Sequence, residues 1–179
     1  MALDFWKSAT TRIKKILTIA AFFLLSLIIT IAGVLTPLSP SEASDIKQEL
    51  EQMRENISVQ LIFGNNFMIC LAMFIPVAGP VFGCYVLYST GVVIAAESLS
   101  EGLPPLIVFL FLFAFPFTWL EFLAYSIAFA QSVWLTRRII QHRGKRELVN
   151  TCILISICAV MLLIAAIIET ALIAMLTQG

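Results

Sequence analysis

The chain has 179 residues, of which 60% are hydrophobic and only 12% charged, with eleven basic residues balancing eleven acidic ones. That composition excludes a water-soluble domain and fits one compact helical bundle with small loops. A net charge of zero names no partner by itself, and the absence of a basic patch interleaved with exposed aromatics argues against nucleic-acid binding.

Ile16 to Leu35 carry no charge over twenty residues. As helix that is about 30 Å, the thickness of a bilayer's hydrocarbon core. Within lipid every backbone group must be satisfied internally, and the absence of alternation selects helix over barrel. Lys7, Arg12, Lys14 and Lys15 precede this block, as in a secretory signal. The apolar run exceeds the roughly 7–15 residues of a signal core, so a retained anchor is expected, with small residues near Ser41 to Ser44 leaving cleavage conceivable.

Thr36 to Gln60 is polar, with Glu42, Asp45, Glu49, Glu51 and Glu55 against Lys47 and Arg54. Within it Ile46, Leu50, Met53, Ile57 and Leu61 recur at helical spacing, predicting an amphipathic helix over about 44–60. Asn56-Ile57-Ser58 is a glycosylation sequon whose helical setting weakens it. Leu61 to Ala96 is then too long for one span, and Pro76-Val77-Ala78-Gly79-Pro80 divides it into helices at about 61–75 and 80–97. Both steeply set spans and a re-entrant hairpin fit these lengths.

Pro104 and Pro105 open the next block with a half-helix over about 103–115; Phe115-Pro116 breaks it, and a helix is predicted over about 117–139. A last span covers about 150–176. The reading is a single all-α transmembrane domain over 1–179. Nine of eleven basic residues lie before the first span or among Arg137, Arg138, Arg143, Lys145 and Arg146. The positive-inside rule places both segments in the cytoplasm. The 36–60 segment, Glu97 and Glu101 then face outward, which requires an odd number of crossings between Glu101 and Arg137. Five crossings are expected, N-terminus inside and C-terminus outside the cell membrane.

Ionisable groups inside a bilayer are functional candidates, and Glu121 and Glu169 are two. Thr118-Trp119-Leu120-Glu121 reads as a capping box with Thr118 as N-cap. The alternative is a contact between Glu121 and a neighbouring helix or ligand, for which Asn65, Asn66, Ser89 and Thr90 stand at suitable depth. Glu169 reads as a carboxyl near the outer interface or as a contact to another helix or subunit. Small residues repeat every four positions at Gly79/Gly83, Gly91/Ala95, Ala124/Ala128/Ser132 and Ala166/Thr170/Ala174. Such stripes let helices approach closely, within the bundle or against a partner. Cys70, Cys84, Cys152 and Cys158 form no CxxC pair and read as buried thiols; His142 lies in the basic loop. No spacing of metal ligands, glycine-rich phosphate loop or cofactor motif occurs, so no catalytic residue, metal or cofactor is expected.

Ile62-Phe63-Gly64-Asn65-Asn66, then Gly79, Gly83, Tyr85-Val86-Leu87-Tyr88 and Gly91, then Pro116-Phe117-Thr118-Trp119-Leu120-Glu121 with Ala124 resemble the stage II sporulation protein M family, in an archaeal-type variant. The resemblance covers roughly Leu61 to Ile140. It implies the helical membrane fold and, since bacterial members take part in a membrane complex remodelling the envelope, a partner complex. It implies no reaction. Members usually carry histidine after the proline, where this chain has Phe117, which favours a structural role for Glu121.

Three functions follow as expectations. The first is a non-catalytic membrane subunit packing against other integral membrane proteins or its own copies among membrane lipids. The second is a small-solute or ion transporter or channel, because two broken apolar segments mark discontinuous helices. The third is an accessory subunit of a membrane metalloenzyme, such as a copper monooxygenase, that binds no metal itself.

Overall fold

The computed structural model describes residues 11–54, 58–142 and 144–177. Among these the chain forms seven helices and no strand: α1 (Thr11–Val34), α2 (Pro40–Arg54), α3 (Val59–Met73), α4 (Ala78–Glu101), α5 (Pro105–Leu112), α6 (Pro116–Ile140) and α7 (Gly144–Thr177). Lys7, Arg143 and, of the sequon, Asn56 and Ile57 lie outside the described residues, as do the side chains of Arg12, Met53, Arg54, Lys145 and Arg146.

Among the described residues three helices are long and apolar enough to cross a membrane: α1, α4 and α7. The α5–α6 pair, bent by 87°, makes a fourth if taken as one span. The apolar α3, at 15 residues, reaches only about 22 Å. The protein is therefore an all-helical membrane bundle.

The amphipathic helix starts earlier than its hydrophobic spacing predicts, at Pro40 rather than near 44. A capping box sets that start. Ser39 donates to Glu42 Oε2 from its backbone N–H (2.8 Å) and its hydroxyl (2.7 Å), while the Glu42 N–H donates to Ser39 Oγ (3.3 Å). Pro40 occupies the first helical position, where its missing N–H costs nothing. Ala43 is buried and α2 lies along α4, with most of its charged face in the open.

α1 crosses α4 through two glycines. A Cβ on Gly33 would sit 2.1 Å from the Tyr88 carbonyl oxygen, and one on Gly91 2.1 Å from that of Thr30. The two backbones themselves touch here, which only glycine permits.

The hairpin between α3 and α4 is a turn stapled to α6. Val77 takes a left-handed φ of 67°, an outlier for a β-branched residue. Its N–H donates to Thr136 Oγ1 (3.1 Å), and Ser132 Oγ donates to the Ile75 carbonyl (2.7 Å). Two hydroxyls on α6 thus satisfy backbone groups that the turn leaves without helical partners. Gly79 is required because a Cβ would meet the Met73 carbonyl oxygen at 2.1 Å. α4 starts at Ala78, so Pro80 lies in its first turn, where proline is tolerated.

α6 is the most enclosed helix, burying Ala124, Ser126, Ala128, Phe129 and Ser132 against α1, α3 and α7. Phe129 stacks on Phe22 at 5.4 Å, over Gly83, where an added Cβ would strike its ring. Met73, Leu87 and Leu162 complete this core.

Candidate functional site

The broken α5–α6 joint positions the first group of polar residues. After Leu112 the chain turns through 113–115 and restarts at Pro116, which leaves carbonyls of α5 without helical donors. Thr118 Oγ1 donates to the Leu112 carbonyl and Trp119 Nε1 to that of Phe113, both at 2.8 Å. Thr118 is therefore not the N-cap that its spacing to Glu121 predicts. The helix begins three residues earlier, with Phe115 as N-cap, so Thr118 faces back across the break.

Glu121 is correspondingly released from capping. Its Oε1 accepts from Asn66 Nδ2 of α3 at 2.5 Å, joining α3 to α6. Glu121, Tyr125 and Glu169 lie close enough to interact electrostatically, so α7 adds a second carboxyl to the same region. Asn65 is exposed, and Thr90 donates to the Val86 carbonyl of its own helix (2.9 Å), while Ser89 is half-buried. The cluster is thus Asn66, Glu121, Tyr125 and Glu169, and of the two asparagines only Asn66 bonds to Glu121.

One turn further in, Cys70 and Cys158 are buried and both thiols point at the Ala124 carbonyl, at 3.9 and 3.6 Å. Cys84 is half-buried and Cys152 exposed, so two of the four cysteines depart from the buried reading. Ala128 and Ala166 are buried, and Thr170 Oγ1 donates to the Ala166 carbonyl (2.8 Å). Among the described residues no group of three or more His, Cys, Asp or Glu side chains is placed to hold a metal ion.

A second polar group lies at the other end of α6, and no local motif announces it. The buried Glu147 of α7 pairs with Lys15 of α1, accepts from Gln131 Nε2 of α6 (3.0 Å), and has Arg138 Nε at 4.0 Å. Gln131 Nε2 also reaches Thr151 Oγ1 at 2.9 Å. Trp134 has two cations over its ring, Lys15 Nζ and Arg137 Cζ, each 5.8 Å from the centroid. Three helices separated by up to 132 residues are bound here.

These arrangements define a polytopic helical membrane protein whose interior polar side chains bond to one another and to broken backbone. The chain matches the family Stage II sporulation protein M over residues 19–172 and belongs to that family. The match extends well beyond the 61–140 segment that carries the resemblance in sequence. Neither a curated protein nor a solved structure matches the chain.

Proposed function

We propose that this chain is a non-catalytic integral membrane subunit that packs against partner proteins in a membrane complex. The observation that carries the reading is the use made of Glu121. A half-buried carboxyl group near the start of α6 is engaged by an amide from another helix, beside a backbone break sealed by Thr118 and Trp119. Such groups knit helices together and present no activated nucleophile.

The long apolar faces of α1 and α7, from Ile16 to Ile28 and from Leu148 to Met175, are left for lipid and for a partner's helices. The topology that fits has five crossings by α1, α3, α4, α6 and α7, with the N-terminus in the cytoplasm. In support, Lys15, Arg137 and Arg138 gather at one end, and the α3–α4 turn reaches that end through Thr136. An accessory place beside a membrane metalloenzyme is a special case of this reading.

Cross-linking in native membranes, followed by native mass spectrometry in mild detergent, tests the proposal. The expected result is a defined hetero- or homo-complex; a monomer that captures nothing from its own membrane would overturn it. One observation favours transport as the second reading, namely the 87° break beside a pair of interacting carboxyls. Proteoliposome flux that Glu121→Gln abolishes would establish transport in place of scaffolding.

A further inference from the structure

The basic end of the bundle carries a groove that the subunit reading leaves unused. It is an open groove of about 380 Å³ between the α3–α4 turn and the last two turns of α6. That is near the lower end of small-molecule sites, which run from about 300 to 1,000 Å³. Its walls are Val77, Pro80, Val133 and Ile140, and its polar rim is Arg137 and Gln141. The groove is therefore apolar along its length and cationic at one edge.

Three features identify the occupant. Val77, Val133 and Ile140 are exposed on the flank of the bundle, which faces acyl chains in a bilayer. Thr136, also on the wall, accepts from the Val77 N–H and donates to the Ser132 carbonyl, so its hydroxyl is committed within the protein. Among the described residues, the charged contact left to a ligand at the rim is then Arg137, whose guanidinium rests over Trp134. Glu147, the acidic side chain described nearby, is engaged with Lys15, Gln131 and Arg138. A planar guanidinium beside an apolar trough matches a phosphate diester attached to hydrocarbon. Basic pockets between helices at the cytoplasmic surface recognise anionic headgroups in this way.

The strained turn builds the trough. Val77 in its left-handed conformation is 69% exposed, and its side chain forms one wall. An unstrained glycine would relieve the backbone but remove that wall. We infer that this groove is a binding site for one anionic phospholipid, with the headgroup phosphate on Arg137 and an acyl chain along Val77, Pro80, Val133 and Ile140.

The test uses the full-length protein in mild detergent, with phosphatidylglycerol, phosphatidylcholine or inorganic phosphate added, read by native mass spectrometry and by thermal shift. Phosphatidylglycerol is expected to occupy one site roughly five-fold more than phosphatidylcholine, the effect of one cationic side chain near an anionic lipid. Inorganic phosphate alone is expected to give no shift. Arg137→Gln should bring phosphatidylglycerol down to the phosphatidylcholine level, and Val133→Trp should lower both lipids by filling the trough. Equal occupancy by the two lipids, an unchanged preference in Arg137→Gln, or full stabilisation by inorganic phosphate would each overturn the assignment. Should Arg137→Gln not fold, the lipid comparison on the unaltered protein still decides. A partner protein seated on this face would compete with the lipid, and its displacement of phosphatidylglycerol with no headgroup preference counts against the proposal.

Discussion

The bundle is held in two different ways on its two sides. Where α1 crosses α4, Gly33 and Gly91 bring main chains into contact, and one hydroxyl pair, Thr36–Tyr88 at 2.9 Å, lies at the edge of the crossing. Where α3 and α7 meet α6, contact is made by side-chain hydrogen bonds at Asn66–Glu121 and Gln131–Glu147. Lipid explains why both work. Apolar surface gains little by leaving lipid for another helix, so association depends on close packing or on polar groups that lack better partners. The first kind of contact fails when volume is added, the second when a partner is removed.

The largest effect is expected from adding a single methyl group to the crossing. Gly91→Ala would set a Cβ 2.1 Å from the Thr30 carbonyl oxygen and 2.8 Å from the Gly33 Cα, all of it backbone. The helices would have to separate, at a cost of about 3 kcal/mol or more. Denaturation in mixed micelles measures it. Gly64→Ala is the control, because nothing lies within 4 Å of its added Cβ and alanine favours helix by about 1 kcal/mol. Equal behaviour of the two variants would refute the backbone-contact account of the crossing.

On the polar side, Glu147→Ala should cost about 2 kcal/mol, because it leaves Gln131 and Lys15 without their shared acceptor near the membrane boundary. Lys15→Met alone should cost less, since Gln131 and Arg138 still face the carboxylate. If Lys15→Met proved the more damaging of the two, the knot would be an apolar packing site. Asn66→Ala should cost about 1 kcal/mol, in the range of hydrogen bonds between membrane helices. A double-mutant cycle with Glu121→Leu should return a coupling of that size. Zero coupling would separate the two residues in function.

What could be read in advance divides along the same line. Apolar length, the Pro76–Pro80 break and Pro116 are local signals, and the chain breaks between Met73 and Ala78 and between Leu112 and Pro116. Gly91 was visible as a small residue, but its contact with Gly33 depends on how α1 crosses α4. The knot at Glu147 was invisible because Lys15, Gln131 and Glu147 share no local pattern, only a common end of the bundle. Spacing alone does not decide where a capping box forms. Thr118-Trp119-Leu120-Glu121 has the required spacing, yet Pro116 starts the helix three residues earlier and Asn66 takes the carboxyl. Ser39-Pro40-Ser41-Glu42 carries the same spacing ahead of a polar helix, and there the box forms.

That box gives the smallest expected effect and the sharpest contrast with Glu121. The Ser39 hydroxyl, and then its N–H, hold the Glu42 carboxyl below its usual value of 4.5. A carboxyl lowered in the folded state contributes order that is full above the free glutamate value and fades as pH falls through the lowered one. The first turn of α2 should therefore fray as pH falls through that lowered value, while α6 keeps its start. Ser39→Ala should move the Glu42 titration back toward the free value and leave Thr118 and Glu121 untouched. Carbon-detected NMR of the Glu42 side chain measures the shift. An unmoved titration in Ser39→Ala would show that the polar helix takes its start from packing on α4 instead.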